Sequence, residues 1–171
     1  MISSSVGRKV MMALTGLVWY GFLVGQLVGN LQLLAGDGGA AFNAYTGFLE
    51  SVPQFIVPTE EILLLALALH VYCAVSLSRE SAAARPVGYR QLQVVGGRSV
   101  ASRLMIWSGL LIAVFLGLHI FTLKYGERVD DSLFRLVDET FRQSAWAGFY
   151  IVVMVVLGMH LHIGRRVHSY F

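Results

Sequence analysis

Apolar residues fall into four blocks along the chain, and the short stretches between them carry nearly all of the charge. The first block runs from Val10 to Leu34, behind Arg8 and Lys9, and ends at Gly36, Gly38 and Gly39. The second begins after Pro58 and covers residues 59–78, with Glu60 and Glu61 in its first turn, where carboxylates suit the helix dipole. The third covers residues 104–123 and the fourth residues 145–163, closing at Gly164, Arg165 and Arg166. A helix of roughly 20 apolar residues crosses a hydrocarbon core of about 30 Å, and each block is near that length. The pattern predicts an all-α membrane bundle of four transmembrane helices forming a single domain over residues 1–171. The first block exceeds the roughly 7 to 15 residues of a signal-peptide core and ends in no small-residue cleavage site, so it is read as a retained helix. Between the third and fourth blocks, Leu133, Leu136, Val137 and Phe141 recur at helical spacing within residues 129–141, which predicts a short amphipathic helix lying on the membrane surface. Phe42-Asn43-Ala44-Tyr45 is read as a loop. No repeat of about 20 to 50 residues is evident.

Composition narrows the class. Of 171 residues 56% are hydrophobic and 13% charged, with a mean hydropathy of +0.67, against about a quarter charged in soluble domains; this excludes a soluble globule. Cys73 is the single cysteine and lies inside an apolar block, which excludes an intrachain disulfide and a CxxC motif. The net charge of +3 does not mark a nucleic-acid binder, because the basic residues separate apolar blocks and form no basic face. Their distribution is a topology signal instead. Nine Lys and Arg flank the N-terminus, the second loop and the C-terminal tail, and four occupy the third loop. The positive-inside rule then places both termini and the second loop in the cytoplasm.

Ionisable side chains inside a span are costly and mark function. His70, His119 and His160 are such residues. At about 1.5 Å per residue, His70 and His160 lie roughly 12 and 8 Å from the inner ends of their helices, whereas His119 lies roughly 22 Å from the inner end of its own. His119 therefore shares a depth with Gln26. Two imidazoles on different helices at one depth are what a b-type haem needs, with one axial nitrogen from each side and the porphyrin between the helices. Interhelical hydrogen bonding explains a lone intramembrane histidine equally well. His162 points roughly 200° away from His160 and is placed at the interface, and His168 lies beyond the last basic pair. Gly21, Gly25 and Gly29 form a stripe suited to close packing, flanked by Gln26 and Asn30.

With these residues in view, the chain resembles the cytochrome b membrane-anchor subunit of succinate:quinone oxidoreductases, the succinate dehydrogenases and fumarate reductases. The likeness runs over nearly the whole length: Ser4-Ser5-Val6-Gly7-Arg8-Lys9-Val10, Ala13-Leu14-Thr15-Gly16-Leu17, Gly29-Asn30-Leu31, Phe42-Asn43-Ala44-Tyr45, Ala84-Arg85-Pro86 and Ser102-Arg103-Leu104-Met105, in order around the histidines. The resemblance implies a haem b held by His70 and His160 and an outer haem held by His119 and a first-helix histidine. This chain departs from it with Gln26 at that last position, so one haem per chain is expected. A second departure is the fifth helix of the family, which has no counterpart before Phe171. The resemblance also implies partners: a flavoprotein and an iron-sulfur subunit docked on the cytoplasmic side, membrane lipid, and quinone as substrate, in the cell inner (cytoplasmic) membrane. Arg98 and Arg103 are candidates for haem propionate contacts, and Glu50, Glu60 and Glu61 for proton transfer to quinone at the outer boundary. The alternatives are the cytochrome b subunit of another quinone-linked dehydrogenase and a haem-free small transporter or assembly protein; no inverted repeat or broken helix favours transport.

Overall fold

The computed structural model describes residues 4–84 and 100–168. Six α-helices account for almost all of them, and no strand occurs among the described residues: α1 (Ser5–Asn30), α2 (Ala40–Glu50), α3 (Pro53–Ala83), α4 (Val100–His119), α5 (Leu133–Arg142) and α6 (Ser144–His168). A 3-10 turn at Leu31–Leu34 extends α1, and a π-helical turn at Ile120–Lys124 extends α4. Four segments are long and apolar enough to cross a membrane: Ser5–Leu34, Pro53–Ala83, Leu104–Lys124 and Ser144–Gly164.

Each predicted span is present, with two differences. The second begins at Pro53, ahead of Pro58, because Pro53 occupies the first helical turn, where its missing N–H costs nothing. Pro58 lies within the same helix near its start. The stretch read as a loop at Phe42-Asn43-Ala44-Tyr45 is helical, being part of α2. The Asp37 carboxylate accepts from the backbone N–H groups of Gly39 (3.0 Å) and Ala41 (2.8 Å), satisfying donors at the start of that helix. Gly39 has φ +93, and a Cβ there would come within 2.1 Å of the Phe134 ring, so both backbone and packing demand glycine.

The predicted surface helix is α5, started by Ser132, whose side chain accepts from Arg135 N–H at 3.2 Å. Asn43 ties α2 to it: its Oδ1 accepts from Phe134 N–H at 3.0 Å and its Nδ2 donates to Ser132 Oγ at 2.9 Å. The two short helices thereby interlock at one end of the bundle.

α1 packs along α3, and α4 along α6, while α3 and α4 touch lightly. Most buried apolar side chains among the described residues belong to these pairs, with Leu63, Ala66 and Cys73 on α3 and Phe115, Tyr150 and Val153 between α4 and α6; Phe42 on α2 and Val137 on α5 are buried as well. Lys124, just past α4, pairs with Glu60 in the first turns of α3 at 2.5 Å, so α3 and α4 are antiparallel and the bundle runs up, down, up, down. At the same end Arg128 pairs with Glu50 at 2.6 Å, and at the other end Arg8 pairs with Glu80. Exposed pairs of this kind contribute at most about 1 kcal/mol each; they set register more than stability.

The bundle consists of two hairpins on one plan. Each has a spanning helix, a tightened or widened helical turn, a short surface helix and a second spanning helix. The sequence carries the same duplication: Met12-x2-Thr15-Gly16-Leu17-x4-Phe22-Leu23-x2-Gln26 aligns without a gap on Met105-x2-Ser108-Gly109-Leu110-x4-Phe115-Leu116-x2-His119. Its period lies well beyond 20 to 50 residues. The copies run in the same direction, so they are related by rotation about the membrane normal and not by inversion.

Candidate functional site

His70 projects from α3 against α1. Its Nδ1 donates to the backbone carbonyl of Met12 at 3.0 Å and lies 3.2 Å from Thr15 Oγ1. Thr15 is buried, and its hydroxyl bonds the carbonyls of Met11 (2.8 Å) and Met12 (3.1 Å). The ring reaches this depth because the next residue is glycine: a Cβ on Gly16 would lie 3.3 Å from His70 Cε1.

His160 repeats the arrangement in the second hairpin. Its Nδ1 lies 2.9 Å from Ser108 Oγ, and Ser108 bonds the carbonyl of Met105 at 3.0 Å. A Cβ on Gly109 would lie 3.2 Å from His160 Cε1. Thr15 and Ser108, like Gly16 and Gly109, are equivalent in the duplication, so the two imidazoles occupy equivalent places in the two hairpins.

His119 lies in a different setting. Its Nδ1 is 3.1 Å from the Tyr150 hydroxyl, in a nest of rings where Phe115 approaches His119 at 5.6 Å between centroids and Phe141 meets Tyr150 edge-on at 4.7 Å. Gln26, its equivalent in the first hairpin, is exposed, and His119 hydrogen-bonds to Tyr150 instead. An open groove of about 540 Å³, lined by Phe141, Ala147, Tyr150, Ile151, Met154 and Val155, runs beside this nest.

Of the three carboxylates at the end of the bundle that carries α2 and α5, Glu50 and Glu60 are held by Arg128 and Lys124, and Glu61 is exposed and in none of the ion pairs among the described residues. The hydrogen bond from Glu50 pushes the Arg128 guanidinium above its already high pKa, so that pair stays charged. Arg98 lies outside the described residues. Arg103 falls in the first turn of α4, His162 is exposed on α6, and His168 ends that helix.

Thr15, Ser108, Gly16, Gly109 and Tyr150 escaped the reading of the histidines by depth alone. The signal that finds the first four is the duplicated hydroxyl-Gly-Leu step, visible once the halves are aligned.

These features define the chain as a multi-pass helical membrane protein whose two hairpins each clamp an imidazole at an equivalent place. Compared with profiles of protein families, with curated proteins and with solved structures, it matches none.

Proposed function

We propose that this chain is an electron-transferring membrane anchor, a cytochrome b subunit of the succinate:quinone oxidoreductase type, holding one haem b between His70 and His160. The observation that carries the reading is the pair of imidazoles held through Nδ1 at equivalent places on separate hairpins. A metal-bound histidine characteristically donates its other ring N–H to a protein acceptor, which fixes its orientation and raises its basicity, and the Met12 carbonyl is such an acceptor for His70. A haem held by the two imidazoles supplies reversible one-electron chemistry, tuned by ligand identity and burial.

The choice of family rests on the ordered sequence landmarks. On that reading the flavoprotein and iron-sulfur partners dock on the basic end, in the cell inner (cytoplasmic) membrane, and quinone is reduced or oxidised at a membrane boundary. The groove beside Tyr150 is apolar space of the kind an isoprenoid tail takes, and Glu61 is the carboxylate most available for proton transfer, being outside the ion pairs that hold Glu50 and Glu60. A variant with Glu50, Glu60 and Glu61 all changed to Gln is expected to lose quinone turnover; wild-type turnover removes the carboxylates from the scheme.

The deciding experiment is a reduced-minus-oxidised spectrum with a haem-to-protein ratio on the purified full-length protein or its complex. One low-spin haem per chain is expected. Absence of a Soret band would leave the haem-free transporter or assembly role in its place.

A further inference from the structure

We infer that Ser108 is the residue that sets the ligating form of His160, and that the two axial positions of the proposed site are held with unequal firmness. The inference rests on the haem reading above and follows from counting protons. The Met12 carbonyl is an acceptor only, so His70 carries its proton on Nδ1 and its lone pair on Nε2, whatever Thr15 does. Thr15 is a second, redundant contact whose hydroxyl proton is already engaged by the Met11 carbonyl at 2.8 Å.

His160 has no carbonyl in that role. Its Nδ1 meets Ser108 Oγ at 2.9 Å, and Ser108 has one proton to give. When that proton goes to the Met105 carbonyl, 3.0 Å away, the serine oxygen accepts from Nδ1–H, and Nε2 bears the lone pair an iron needs. When it goes to His160 Nδ1, the imidazole proton sits on Nε2 and ligation is blocked. A single hydroxyl rotor therefore chooses between a ligand and a non-ligand. Gly109 brings the ring close enough for that choice, since a Cβ there would lie 3.2 Å from His160 Cε1.

The positions should respond differently to loss of their hydroxyls. In Ser108→Ala the Nδ1–H of a ligating His160 loses its acceptor, the imidazole becomes a weaker donor, and ferric haem loses more stabilisation than ferrous haem. The midpoint potential then rises, and a tenfold change in relative ferric affinity corresponds to about 59 mV for one electron. Haem retention falls as well, by roughly the tenfold or more that loss of an outer-shell partner costs a metal site. Thr15→Val leaves the Met12 carbonyl in place and should change both quantities far less.

The test is a redox titration and haem-to-protein ratio on the full-length chain as wild type, Ser108→Ala, Ser108→Thr and Thr15→Val, with ¹⁵N shifts of the labelled histidines recorded in parallel. A raised potential and lower retention in Ser108→Ala, recovery in Ser108→Thr and near-wild-type values in Thr15→Val are expected. Equal effects of the two hydroxyl deletions, or an unchanged Ser108→Ala, would overturn the inference. The nitrogen shifts separate it from the haem reading: a wild-type chain without haem ends that reading, while an altered Nδ1/Nε2 proton distribution at His160 in Ser108→Ala still upholds the role of Ser108, and an unaltered one refutes it.

Discussion

An imidazole in hydrocarbon needs a partner for at least one ring nitrogen, and the three intramembrane histidines meet that need in different ways. His70 leans on a carbonyl and a hydroxyl of a neighbouring helix, His160 on a hydroxyl, and His119 on a phenol. His70→Ala and His160→Ala are each expected to abolish the low-spin haem signal, read from the difference spectrum; a full bis-histidine spectrum in both variants would remove the assignment. Gln26→His supplies the outer layer with a second imidazole, and a haem-to-protein ratio rising from one toward two is expected. The histidines were legible in the sequence because charge-capable groups stand out against an apolar background. Thr15 and Ser108 were not, since a hydroxyl in a helix satisfies itself on a carbonyl of the preceding turn and leaves no trace in hydropathy.

The spanning helices were equally legible, because burial of their apolar length in lipid decides them almost alone. The short helix α2 was not. Its glycine-rich entry looks like a break, and it is held by tertiary contacts: the Asp37 cap, the Asn43 link to α5 and the fit of Gly39 against Phe134. Gly39→Ala places a Cβ into that ring from a left-handed backbone and is expected to cost roughly 1 to 3 kcal/mol. Gly21→Ala, on an open helical face, is expected to be neutral or to stabilise by up to about 1 kcal/mol through helix propensity. Thermal unfolding of the two variants in detergent distinguishes them, and similar melting temperatures would show that the α2–α5 contact carries no load.

The distribution of charge predicts how the assembled bundle is oriented. With nine basic residues toward one end and four toward the other, a cysteine introduced at position 90 should react only with reagents on the cytoplasmic side and one at position 127 only with those outside. Cys73 is fully buried and contributes little background. Labelling of position 90 from outside would reverse the orientation. The duplicated plan of the bundle also bears on inheritance. A dimer of identical hairpins draws both halves from one gene, so a change at any position appears twice, and the outer layer of such a dimer holds two histidines or two glutamines. Gln26 in one half and His119 at the equivalent position of the other is a combination open only to halves encoded separately, as they are here within one reading frame. Each half is then free to hold its own residue at an equivalent place, and the repeated plan of the backbone does not bind the chemistry.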